Sequence, residues 1–100
     1  MQATHSTDPR TVWRAVVAVR VPPTDGDDLA TSASRRLERE DDVAAAIVEA
    51  LRGVEPAMSA TVVTVEVRVE GTAALEDDDA VADCLTAAPG TQRVETVEPA

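Results

Sequence analysis

An acidic run is the densest group of ionisable side chains in the chain: Glu76, Asp77, Asp78 and Asp79, followed by Asp83. Asp79 and Asp83 have i, i+4 spacing, so on a helix their carboxylates share one face and could together hold a hard cation such as Mg²⁺ or Ca²⁺. Such an ion takes roughly six or more oxygen ligands in a fixed array, and the sequence has no D-x-D-x-D-G loop to supply them. We therefore treat Asp79 and Asp83 as weak metal candidates and favour a solvated helix start.

Three arginines form the one local basic cluster: Arg35, Arg36 and Arg39. Their spacing could place guanidinium groups against phosphates, so nucleic acid would be sought here first. The net charge of −10 and the lack of Phe and Tyr to stack on bases oppose that interpretation. Acids at positions 38 and 40–42 favour ion pairs within the protein instead. The cluster remains a candidate interaction surface.

Two single side chains could also carry function: Cys84 and Trp13. Free cysteine is among the most buried residue types, and Cys84 lies near the C-terminal end of a predicted helix, where the dipole does not help a thiolate. Core packing is therefore favoured over a nucleophile. Trp13 is the sole aromatic residue and begins a predicted strand on its apolar face. We interpret it as a core or interface anchor and count it as an interaction candidate.

The residues that are missing exclude most catalytic classes. The chain has no lysine, and therefore no P-loop and no Schiff-base chemistry. Its single histidine, His5, lies in a polar N-terminal segment, so a catalytic triad would lack a well-held base. No G-x-G-x-x-G occurs, and no His or Cys pair has the spacing of zinc ligands. We predict that the protein is not an enzyme and needs no cofactor.

Alternating residues predict two long strands. Residues 11–21 place Trp13 and four small apolar side chains on one face, and Pro22 ends the run because it cannot donate to a ladder. Residues 60–70 place four valines on one face and charged residues or Thr on the other. Both patterns are typical of strands that bury one face.

Apolar spacings of three and four residues predict helices elsewhere. Residues 42–52 fit a helix, with Asp41 or Asp42 at its N-cap and Gly53 just beyond its C-terminus. Residues 27–40 fit a helix less well; the first half of one long bent helix and an irregular edge strand are the alternatives. After Gly71, the segment over residues 74–90 predicts a short helix, with the acids Glu76 to Asp79 at its start and Pro89 and Gly90 at its end. Residues 92–98 predict a short edge strand.

These elements predict an α+β domain. We expect a flexible tail over residues 1–10 and a single domain over residues 11–98, as the length of 100 residues suggests. The fold would be a two-layer sandwich, ferredoxin-like or related, with a three- to four-stranded sheet and helices on one face.

The composition indicates the solvent more clearly than any reaction. The chain has nineteen acidic residues and only nine cationic ones, all of them arginine. This pattern resembles cytoplasmic proteins of extreme halophiles. No signal peptide or membrane span is evident, so we expect a cytoplasmic protein. Because Ala and Val supply most of the apolar residues, the core is thin and self-association would add burial. We expect a homodimer; the alternative is a salt-dependent monomer.

Three functional hypotheses follow from these observations. The first is a non-catalytic module that binds another protein or a copy of itself. The second is a regulatory domain that binds a small ligand or a divalent cation. The third is an accessory subunit that binds RNA or DNA through Arg35, Arg36 and Arg39. Nucleic acid is not the expected partner, and neither is a membrane.

Overall fold

The structure is a computed structural model and describes residues 11–23 and 28–100. The predicted tail, with His5, lies outside the described residues. Six elements follow one another along the chain: β1 (Thr11–Val21), α1 (Leu29–Leu37), β2 (Val43–Ala57), β3 (Ala60–Gly71), α2 (Asp78–Ala87) and β4 (Thr91–Pro99). The strands form one sheet in the order β2-β3-β1-β4, and each neighbouring pair is antiparallel. The α+β class is confirmed, and the arrangement is compatible with a two-layer sandwich.

The core lies between the helices and one face of the two central strands. Alternation in β1 and β3 buries their odd-numbered apolar residues, and these valines pair across the sheet, as Val17 does with Val65. Leu37 of α1 and Leu85 of α2 close the same core. Both helices therefore cover one face of the sheet. The predicted strands over residues 11–21 and 60–70 are confirmed.

Both helices begin at an aspartate. The side chain of Asp28 caps α1 by accepting a hydrogen bond from the Thr31 N–H at 2.8 Å, which lowers the pKa of that carboxyl. Asp77 caps α2 in the same way, accepting from the Ala80 N–H at 2.8 Å. The helix in residues 27–40 and the short acidic helix are confirmed. Within the described chain, neither helix is long and apolar enough to cross a membrane.

The helix predicted over residues 42–52 is wrong, because these residues belong to strand β2. Its pairing with β3 skips one residue at each of three places, Ala44, Glu49 and Arg52, as expected of β-bulges. Each bulge adds a residue to the normal period of two. Leu51 and Val54 therefore share a face although they are three residues apart, which reproduces the spacing of a helix.

The residues expected to cap that helix have other partners. The carbonyl of Asp42 accepts from the Thr72 N–H at 3.0 Å, and its carboxylate accepts from the Thr72 hydroxyl at 3.1 Å. These bonds hold the start of β2 to the end of β3. Gly53 lies within β2, opposite Thr64. The pairing of β2 with β3 outweighs the helix propensity of its alanines.

The predicted C-terminal edge strand is confirmed as β4, which pairs with β1. Val94 and Val97 of β4 pack partly against the core. The pairing is irregular near Glu95 and Gln92, where the register shifts. The two edges of the sheet, β2 and β4, are thus both interrupted by irregularities.

Candidate functional site

The largest exposed apolar side chains of the described chain are concentrated on β2 and the turn that follows it. Leu51 is 50% exposed, Val54 53% and Met58 87%. Val48 lies on the same face as Leu51 and Val54, because all three pair with core valines of β3, and it packs partly against the core. We call Val48, Leu51, Val54 and Met58 the hairpin row. Several neighbouring apolar side chains left in water mark a candidate binding surface.

The hairpin row is exposed because α1 is short. Ser34 of α1 donates its hydroxyl proton to the Ala46 carbonyl, and the Glu38 carboxylate accepts from the Ala46 N–H at 2.9 Å. These two bonds fix α1 over Ala46, which is buried. Beyond that point the helix does not cover β2, and Leu51 faces solvent.

A groove of about 460 Å³ lies where α1 meets β2. Thr31, Ser34, Arg35 and Glu38 line its helix side, and residues 46–48 line its strand side. One arginine of the basic cluster therefore belongs to this groove. The groove opens beside the hairpin row, since Val48 is part of both.

The tip of the hairpin is held by β1. The turn between β2 and β3 contains Met58 and Ser59, and Ser59 has a φ of 58°. Arg20 on β1 donates from its Nη2 to the Met58 carbonyl at 2.6 Å. A charge-assisted hydrogen bond of this kind orients the turn and its exposed Met58 side chain.

The hairpin carries little net charge. The ionisable side chains of β2, the turn and β3 sum to −2 of the net −10 of the chain; they are Glu49, Arg52, Glu55, Glu66, Arg68 and Glu70. Glu49 accepts from Arg14 at 3.2 Å, and Arg52 lies 3.4 Å from Glu66. Both pairs are on the face of the sheet away from the helices. Another molecule therefore meets less repulsion at the hairpin than the whole charge suggests.

The face of the sheet away from the helices is covered by charged side chains. Arg14 and Arg68 lie directly opposite each other on β1 and β3, and each of them lies near an acid. Arg68 approaches Glu70 at 3.9 Å, while Arg14 reaches Glu49. Val12, 41% exposed, is the large apolar residue of β1 that this face leaves in solvent. Ile47 of β2, 38% exposed, pairs with Arg68 and lies on the same face.

Trp13 lies in the core of the chain. It is 8% exposed, and its indole Nε1 donates to the Leu75 carbonyl at 3.1 Å. Of the two roles that the sequence left open, its burial fits the core anchor. A partner would not reach this ring in the conformation described.

The basic cluster is divided between different surroundings. Arg35 lines the groove beside β2, whereas Arg36 approaches Gly90 before β4. Both lie in the last turn of α1, where positive charge complements the helix dipole. Arg39 lies in the exposed turn after the helix. The three guanidinium groups therefore do not form one continuous phosphate-binding surface.

The acidic candidates Asp79 and Asp83 are exposed on α2. Asp78 and Asp79 occupy the first turn of the helix, where carboxylates complement its dipole. Within residues 11–23 and 28–100, no group of three or more His, Cys, Asp or Glu side chains is placed to hold a metal ion. The positions of these acids match a solvated helix start.

Cys84 is half-buried against the core on α2. Burial raises the pKa of its thiol, and the negative charges of Glu40 and Asp42 raise it further. A nucleophilic cysteine needs the opposite shift, since the thiolate is the reactive form.

No protein-family model, curated protein or solved structure matches the chain. Its function is therefore argued from its own surface. Sequence reasoning missed the hairpin row because residues 42–52 were assigned to a helix, which would have buried Leu51. The signal that could have found it is the pair of apolar residues Val54 and Met58 beyond Gly53, which the helix left without a role.

Proposed function

We propose that this protein is a non-catalytic, self-associating module of a halophile-type cytoplasm, and that it works as a homodimer. The observation that carries the proposal is the hairpin row, in which Leu51, Val54 and Met58 are each at least half exposed. Burying such side chains contributes roughly 25 cal/mol per Å² of apolar surface removed from water. Because the core of Ala and Val is thin, this additional burial would stabilise the fold.

The charge distribution lets a second copy approach at the hairpin. Two chains of −10 each repel one another over most of their surfaces, but the hairpin of β2 and β3 contributes only −2. Salt at about 1 M shortens the Debye length to about 3 Å and removes most of the remaining repulsion. The hairpin is therefore the surface at which two copies approach most easily.

The chemistry of the described groups supports a non-catalytic role. The raised pKa of Cys84 keeps its thiol protonated near neutral pH, and Asp28 uses its carboxylate to cap a helix. Trp13 is a core residue, and Asp79 and Asp83 are solvated. Packing in or against the core accounts for Trp13 and Cys84.

We also propose that the sheet is of the ferredoxin-like type. The order of elements, β-α-β-β-α-β, is that of this split βαβ architecture. The strand order β2-β3-β1-β4, with β1 and β3 in the centre, supports it. Such a sheet leaves two edge strands and one face for association.

The proposal is tested by the mass of the protein in solution. Sedimentation or light scattering from 0.2 to 3 M KCl should show a dimer fraction that rises as salt screens the net charge. In Leu51→Arg the dissociation constant should increase about tenfold or more, because a charge replaces a buried apolar contact. Val12→Arg is the matched control: it adds the same charge at a similarly exposed valine on the other face.

A monomer mass for the unmodified chain at every KCl concentration would contradict the proposal. So would equal weakening by Val12→Arg and Leu51→Arg, because it would assign the effect to charge alone. Circular dichroism of both variants checks that each one is folded before its mass is compared.

A further inference from the structure

We infer that the edge of β2 is a surface that fits an added β-strand, and that the chain keeps this edge closed with α1 and Pro56. The partner that such an edge fits is an extended segment, which pairs with it through backbone hydrogen bonds. In a solution of this protein alone, that segment is β2 of another copy. The backbone would make this contact, whereas the proposed dimer uses the side chains of the hairpin row. The fold thus prevents a second mode of association.

The pairing of β2 with β3 determines which of its backbone groups face outward. Ala57 and Ala60 flank a two-residue turn, and the residues that close such a turn bond to each other. Because bonded and non-bonded pairs alternate from there, the partners of odd-numbered β3 residues turn their N–H and C=O groups away from β3. These outward-facing residues are Val43, Ala46, Val48, Leu51, Val54 and Pro56. As this pattern requires, the Val43 N–H bonds outside the sheet, to the Glu40 carbonyl at 3.0 Å.

Bulges divide this edge into short pieces. Three bulged residues interrupt the pairing of β2 with β3: Ala44, Glu49 and Arg52. The regular stretches that remain at four residues or longer are 45–48 and 53–57. An added antiparallel strand bonds to the N–H and C=O groups of every second residue, so each stretch offers two residues to it. They are Ala46 and Val48 in the first stretch, and Val54 and Pro56 in the second.

Helix α1 closes the first stretch. Ser34 donates its hydroxyl proton to the Ala46 carbonyl, and the Glu38 carboxylate accepts from the Ala46 N–H at 2.9 Å. These are the two backbone groups that an added strand would bond, and Ala46 is only 2% exposed. Ser34 and Glu38 are four residues apart, so the C-terminal end of α1 presents both to the same strand. The helix therefore occupies the place of a neighbouring strand at Ala46.

Pro56 closes the second stretch. It faces outward and has no N–H, so an added strand finds no donor there. Strand β3 loses no hydrogen bond to it, because the nitrogen of Pro56 points away from β3. The register shifts of β4 interrupt the other edge of the sheet. Covering an edge and placing proline in it are both ways in which natural proteins stop edge strands from pairing.

The double variant Ser34→Ala, Glu38→Met tests the role of α1, because it removes both partners of Ala46 and keeps good helix formers. Its matched control is Ser34→Thr, Glu38→Gln, which loses the same charge but keeps a hydroxyl donor and an oxygen acceptor. Light scattering measures the mass of each in high KCl, and thioflavin T fluorescence reports strands stacked between chains. The first variant should form polymers with several-fold higher fluorescence, and the control should match the unmodified chain.

Val48→Pro, added to Ser34→Ala, Glu38→Met, identifies the surface at which the copies pair. It removes the other outward N–H of residues 45–48 without removing a bond to β3, so the polymers should disappear. A folded Ser34→Ala, Glu38→Met variant with the mass of its control would overturn the inference. Polymers that persist after Val48→Pro would also overturn it, because they would have formed at another surface.

Pro56→Ala tests the same edge without disturbing α1, and it decides the question if circular dichroism shows that the double variant does not fold. Alanine supplies the missing N–H at an exposed position. Pro56→Ala should polymerise in high KCl, with a several-fold rise in thioflavin T fluorescence over the unmodified chain. Unchanged mass and fluorescence would overturn the inference, since residues 53–57 would then offer two complete residues and still accept no strand.

Discussion

At the scale of single residues, Cys84 illustrates how position decides chemistry. The sequence placed it on the apolar face of a short helix, and the structure has it half-buried against the core. Desolvation is the main cause of its raised pKa, and the acids Glu40 and Asp42 add to it. The thiolate, which is the form that reacts with alkylating reagents, is therefore scarce in the folded protein.

We predict that iodoacetamide modifies Cys84 several-fold more slowly in the folded chain than in the urea-unfolded chain at pH 8. Mass spectrometry of timed samples measures both rates at one reagent concentration. The folded state holds the thiol proton more tightly than the unfolded state does. The raised pKa of the Cys84 thiol therefore contributes stability that is fully present below the ordinary thiol pKa and is lost as the pH rises through the raised value. Equal rates in the two states would contradict the assignment.

At the scale of elements, the strands whose period stays at two were predictable and the bulged strand was not. In β1 and β3 the alternation is unbroken over most of their length, so Val17 and Val65 could be placed in the core from the sequence. In β2 the pairing with β3 absorbs three extra residues. Nothing local marks a bulge, since it is fixed by the partner strand. Because β2 was not predicted as a strand, the hairpin row was not predicted either.

The end of β3 supplies a test of packing between an element and the loop after it. A Cβ at Gly71 would lie 2.9 Å from Leu75 Cγ, and Leu75 is buried. Gly71→Ala should therefore lower the free energy of unfolding by about 1–3 kcal/mol through overpacking. The measurement is urea denaturation at fixed KCl and protein concentration.

Gly53 in β2 provides the matched control for Gly71. The nearest atom to its added Cβ is Thr64 Cβ at 4.0 Å, an ordinary contact. Gly53→Ala should leave stability unchanged or raise it by about 0.4–1 kcal/mol, because alanine restricts the unfolded chain. A loss at Gly53 as large as the loss at Gly71 would show that backbone conformation, and not the space around the Cβ, limits both positions.

At the scale of the whole molecule, the high-salt solvent and the single domain stay predictions from composition and length, while the candidate surface depends on topology. The charge of −10 is a property of the sequence. Strand β2 contains only three charged residues, Glu49, Arg52 and Glu55, with apolar residues between them. This matters only because β2 is an edge strand. The length of α1, which stops short of Leu51, could not be judged before its position on the sheet was known.

The net charge leads to the last prediction, which concerns stability in salt. The folded chain concentrates its excess of acids in a small volume, so unfolding relieves repulsion at low ionic strength and salt removes that advantage. The free energy of unfolding should therefore rise from 0.1 to 2 M KCl. In the triple variant Asp41→Asn, Glu76→Gln and Asp83→Asn, three exposed acids become neutral and the net charge becomes −7. Its rise with KCl should be smaller, and its stability at 0.1 M KCl higher.

Magnesium separates screening from a specific cation site in the same experiment. If the acids act through the net charge, a few millimolar MgCl₂ stabilises the unmodified chain no more than KCl of equal ionic strength does. A larger stabilisation that Asp83→Asn abolishes would assign Asp79 and Asp83 to a divalent-cation site. Salt curves of equal slope for the triple variant and the unmodified chain would remove screening as the cause, because the repulsion that salt relieves must fall with the net charge.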